Sequence, residues 1–96
     1  MSEILKKAVA AINDKMAGAV FDSSVKFKIE AEGSIVVDSD GVRVSEEETE
    51  CTLIASLEVF TKILDGDINA TEAYMTGSLK VEGSMSAAME LSSILA

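Results

Sequence analysis

In "VKFKIEAEG", residues 25–33, Val25, Phe27, Ile29 and Ala31 alternate with Lys26, Lys28, Glu30 and Glu32, and no other feature restricts the fold so tightly. A period of two gives a strand with one apolar and one solvated face, so a second layer must cover the apolar side. Ahead of it the period is helical. Ile4, Leu5, Ala8, Val9, Ile12 and Met16 fall within an arc of about 140°, with Ser2 placed to cap the helix and Gly18 to end it.

The alternation then repeats. Gly33 turns the chain into "SIVVD", and "DSDG" at 38–41 turns it again into "VRVS". Glu46, Glu47 and Glu48 form a solvated loop, and "ECTLIA" is a fourth strand. Three tight connections in succession predict an antiparallel meander. Ser56 caps a second helix that carries Leu57, Val59, Phe60, Ile63 and Leu64 on one side and stops at Gly66. "NATEAYMTG" reads as one short helical turn, and "SLKVEG" as a fifth strand with Leu79 and Val81 inward. Ser84 caps a last helix bearing Met85, Ala88, Met89, Leu91 and Leu95. Strands with one apolar face and helices with apolar stripes predict an α+β domain spanning residues 1–96. Its five-stranded, largely antiparallel sheet is covered on one face by helices. The apolar arcs of the last two helices are wider than one sheet contact needs. Either they pack on each other, or helices and sheet enclose an apolar space.

Charge and composition remove several classes of function. Seventeen acids against eight bases give a formal net charge of −9, which argues against nucleic acid and against adhesion to anionic membranes. No apolar run approaches the roughly 20 residues of a membrane span, so no stable insertion is expected. The N-terminus lacks the apolar stretch of a secretory signal, and a cytoplasmic, reducing location is expected. Cys51, the single cysteine, sits in an alternating apolar strand where an inert buried thiol is expected.

Catalytic chemistry is equally thin. There is no histidine to serve as a neutral-pH acid or base or to activate Cys51. "DSDG" lacks calcium-loop spacing, because Gly41 falls fourth rather than sixth and Thr49 stands where the twelfth-position Glu belongs. Gly77 and Gly83 fit neither a phosphate loop nor a dinucleotide fingerprint. No enzyme, metal or cofactor is expected.

The stretch from Glu50 to Leu95 resembles the C-terminal half of the sterol carrier protein type-2 family. Gly66, Ile68, Asn69, Ala73, Tyr74, Met75, Gly77, Leu79, Lys80, Val81, Gly83, Met85, Ala88, Met89 and Leu91 follow that family's run without a gap. The N-terminal half matches in pattern only. Asp67 and Ser78 stand where members usually carry basic residues, and Ala70 replaces a proline. Losing those positive charges weakens the case for an acyl-CoA ligand. The chain ends directly after the last helix, so a smaller or more open cavity is expected.

The resemblance implies a non-catalytic carrier that holds a fatty acid, fatty acyl chain or sterol-like lipid in an apolar tunnel between helices and sheet. It places Phe60, Ile63, Leu64, Tyr74, Met75, Leu79, Met85, Met89 and Leu91 around that space. The alternative is an accessory protein whose apolar groove grips a partner protein or a second copy of itself as a homodimer.

Overall fold

A computed structural model describes residues 3–17, 19 and 21–95, the last through its backbone. The expected cap at Ser2, the stop at Gly18 and the inward side chain of Leu95 lie outside the described residues. The element order is α1 (Glu3–Met16), β1 (Val25–Ile29), β2 (Gly33–Asp38), β3 (Gly41–Val44), β4 (Cys51–Ala55), α2 (Leu57–Asp65), α3 (Ala70–Met75), β5 (Lys80–Gly83) and α4 (Met85–Leu95). The five strands form one sheet in the order β3-β2-β1-β4-β5.

Two expectations need correction. The alternation stops at Ile29: Glu30, Ala31 and Glu32 form the β1–β2 turn, where Ala31 adopts a left-handed φ of 67°. A three-residue connection needs one such conformation, and here an alanine accepts it. The second correction is topological. β4 does not continue the meander beyond β3 but pairs parallel to β1, with Val25 opposite Cys51 and Ile29 opposite Ala55. The other pairings are antiparallel. From β3 to β4 is three strand spacings, roughly 14 Å. The six residues 45–50 can cover that distance when extended at about 3.3 Å each. They run as a strap across the sheet face opposite the helices. The Ser45 N–H donates to the Ser34 carbonyl at 3.2 Å, and the Glu50 N–H donates to Ser24 Oγ at 2.9 Å. Under the strap Ser34 and Val36 are buried on what was expected to be a wholly wet face. Glu46, Glu47 and Glu48 remain exposed, as expected of a solvated loop.

The register aligns the inner face. Val25, Phe27 and Ile29 of β1 stand beside Ile35 and Val37 of β2, and beside Cys51, Leu53 and Ala55 of β4. Leu5, Ala8 and Ile12 of α1 pack over the β2–β3 half, while Ala87, Ala88 and Leu91 of α4 cover β1, β4 and β5. Phe60 of α2 meets Phe27 edge-on, with ring centroids 5.3 Å apart. Caps fall where the sequence placed them: Ser56 Oγ accepts from the Val59 N–H, and Ser84 Oγ accepts from the Ala87 N–H.

Two glycines fix the approach to β5. Gly77, at φ 82°, follows α3 and lets both the Ser78 and Leu79 N–H groups reach the Ala73 carbonyl. Gly83, at φ 91°, ends β5 so close to β4 that a Cβ would run into the Glu50 carbonyl oxygen, whereas a Cβ on Gly77 would meet open space. Gly77→Ala should therefore cost about 1 kcal/mol of left-handed strain, and Gly83→Ala more than about 2 kcal/mol because backbone must also move. Urea midpoints check this; equal losses would contradict it.

The strap also carries an ion-pair network. The Arg43 guanidinium donates to both carboxylate oxygens of Asp38, at 3.0 and 2.9 Å, and to Glu47 Oε1 at 2.7 Å. Arg43 thereby holds the Asp38 carboxyl below its ordinary value, with the Asp40 and Gly41 N–H groups adding to the effect and burial opposing it. Glu47 is lowered for the same reason, Arg43 first and the Ser45 hydroxyl second. A carboxyl whose folded pKa is depressed stabilises the fold above its unfolded value and loses that contribution as pH falls through the folded one. Arg43→Gln should thus lower stability near neutral pH, and the deficit should shrink below about pH 4. A deficit that is constant with pH would contradict this account.

Candidate functional site

The half of the molecule built from α3, β5 and α4 does not close on itself. α3 has only six residues. Asn69 Oδ1 caps it by accepting the Glu72 N–H at 2.6 Å, and the turn at Gly77 ends it. Helical spacing puts Ala70, Thr71, Tyr74 and Met75 along one side of α3, and Met85, Ala88, Met89 and Ser92 along one side of α4. Leu53 and Val81, cross-strand partners on β4 and β5, lie between the two helices together with Leu79. These eleven residues line a hollow of about 320 Å³.

The hollow is almost wholly apolar. Its side-chain polar groups are the hydroxyls of Thr71, Tyr74 and Ser92, and no charged side chain among the described residues lines it. The residues outside the description carry no ionisable side chain. Its rim holds every exposed large apolar side chain found among the described residues: Tyr74 is 46% exposed, Met75 79%, Met85 41% and Met89 61%. An apolar patch gathered around a concavity in this way marks a binding surface rather than scattered surface apolarity.

Five of the nine residues named from sequence, Tyr74, Met75, Leu79, Met85 and Met89, come together here. Phe60 and Leu64 instead line a second hollow of about 300 Å³ between α1 and α2, which shares no residue with the first and is flanked by Lys7 and Asp65. Ile63 and Leu91 line neither hollow; both are buried in the core. Six lining residues were not named from sequence. Ala70, Thr71, Ala88 and Ser92 lie at helical spacing from the named ones and were within reach of that pattern. Val81 was placed inward but not assigned to the site. Leu53 required knowledge of the β4–β5 register, which single-strand periodicity does not carry. Cys51 is buried in the core and does not line the hollow. Burial pushes its thiol pKa up, so it carries little thiolate near neutral pH.

Known proteins share this architecture. Sterol carrier protein 2 from Aedes aegypti, solved in complex with the C16 fatty acid palmitate, superposes with a TM-score of 0.78 at 22% identity, covering 100% of this chain and 97% of that one. Sterol carrier protein 2 like 2 from the same organism gives a TM-score of 0.77 at 15% identity, with 94% of each chain covered. The sterol carrier protein domain 2 of Helicoverpa armigera gives 0.77 at 20% identity, covering 96% of this chain and 85% of that one. A comparison with curated protein sequences returns no match. The model of the SCP-2 sterol transfer family matches residues 2–96, and the chain belongs to that family.

Proposed function

We propose that this protein is a non-catalytic lipid carrier that holds the apolar part of a long-chain or sterol-like lipid in the groove between α3, β5 and α4. The observation that carries this reading is the gathering of Tyr74, Met75, Met85 and Met89 around one apolar hollow. Membership of the SCP-2 sterol transfer family supports it, as does the palmitate complex of the Aedes aegypti protein. A volume of about 320 Å³ lies at the low end of ligand pockets, which run from about 300 to 1,000 Å³. The methionines suit such a space, because three soft torsions let each side chain close over ligands of different shape. The described residues of the lining offer hydroxyls but no carboxylate, amine or thiol to move a proton or attack a bond, which supports carriage rather than turnover. Among the described residues no helix is long and apolar enough to cross a membrane, and a cytoplasmic site of action remains part of the proposal.

Native mass spectrometry of protein purified from cells tests this. The carrier reading expects an added mass of a few hundred daltons on a monomer. An empty dimer would instead mean that a second copy covers the apolar rim. Met85→Gln combined with Met89→Gln keeps side-chain length but makes the groove polar. It should weaken binding of a pyrene-labelled long-chain alcohol at least tenfold, about 1.4 kcal/mol. Because both side chains sit at the exposed rim and not in the core, the melting temperature should stay within a few degrees of wild type. Unchanged affinity would contradict the assignment.

A further inference from the structure

We propose that the groove selects lipids with an uncharged head, such as an alcohol, ketone or ring hydroxyl, over those ending in a carboxylate or phosphate. This inference rests on the carrier reading above and adds the chemical class of the ligand.

Hydroxyls are the only polar side-chain groups among the described residues of the lining. Each donates one hydrogen bond and can accept as well, which satisfies a ligand hydroxyl or carbonyl. A buried carboxylate needs more, since an ion taken out of water must meet an opposite charge or several charge-assisted donors. None is supplied.

The segment that builds the walls supplies no cation to make up the deficit. Between Gly66 and Leu95, the segment that builds α3, β5 and α4, there are four acids, Asp67, Glu72, Glu82 and Glu90, against the single base Lys80. Lys80 points away from the groove. It sits on β5 between the inward residues Leu79 and Val81, is exposed, and pairs in register with Ile54 on the opposite face of the sheet. Lys62, the nearest base before this segment, lies on α2 and pairs with Glu58 at 3.4 Å. An anionic head therefore has two options, and both are poor. Inside the groove it meets no cation in apolar surroundings; at the mouth it lies in the field of a chain with net charge −9. A neutral head suffers neither penalty.

Two ligands of equal chain length separate these cases. Hexadecanol and hexadecanoate compete, near neutral pH and below their aggregation limits, against a pyrene-labelled alkane bound to the full chain. Hexadecanol should displace the probe at least tenfold more effectively, about 1.4 kcal/mol. Glu72→Lys, an exposed change outside the lining, should narrow that gap by tightening hexadecanoate alone, by about threefold for one reversed surface charge. Equal or tighter binding of hexadecanoate overturns the head-group inference while leaving the carrier reading intact. If the alkane probe does not bind at all, the carrier reading falls and this inference falls with it.

Discussion

The parallel pairing of Val25–Ile29 with Cys51–Ala55 is the contact around which the rest of the molecule is arranged. It forces residues 45–50 to cross the outer face, which buries Val36 and Ser34 beneath them. It also carries β5 to the sheet edge farthest from β3, away from the helix that covers β2 and β3. Only α4 and the six-residue α3 are then available to roof Leu53 and Val81. Had β4 formed a hairpin with β3, β5 would lie at a different edge, under different helices. The groove is a consequence of strand order.

The apolar surface is divided unequally between two halves. Ile12, Ile35 and Leu91 are fully enclosed, and Ile29 and Phe60 very nearly so. Burial of each such side chain stabilises by roughly 1.5–3 kcal/mol. Met75 and Met89 forgo most of that gain by remaining exposed. A folding requirement alone would not place three of five methionines on one open rim. A ligand chain laid between them recovers the unmade burial at the moment of binding. The closed half supplies the stability that lets the open half stay open.

Much of this was legible in the sequence because it depends on local rules. Ser56 and Ser84 cap helices, Gly66 and Gly77 end them, and the alternation of Val25, Phe27 and Ile29 picks out the inner face. What the sequence hid is non-local. Nothing in "VRVSEEETEC" distinguishes a strap that crosses two strands from a loop that returns beside its own strand, since both need extended, polar residues. Ala31 continues the alternation in letters but not in backbone, because its left-handed φ is imposed by the turn. The site divided along the same line. Tyr74, Met75, Met85 and Met89 were placed there by the family resemblance, whereas Leu53 enters through strand register. Phe60 and Leu64, which share a helix face with the core residue Ile63, open instead toward α1.

The methionines themselves report most directly on where a lipid sits. With the methionine methyl groups isotope-labelled, Met75, Met85 and Met89 give NMR signals from the groove, while Met16, packed against the core at the end of α1, gives one from elsewhere. Titration with hexadecanol should shift the three groove signals together and saturably, and leave Met16 unmoved. Saturable binding that perturbs Met16 or the Phe60 and Leu64 hollow, while the three groove methyls stay still, would contradict the account.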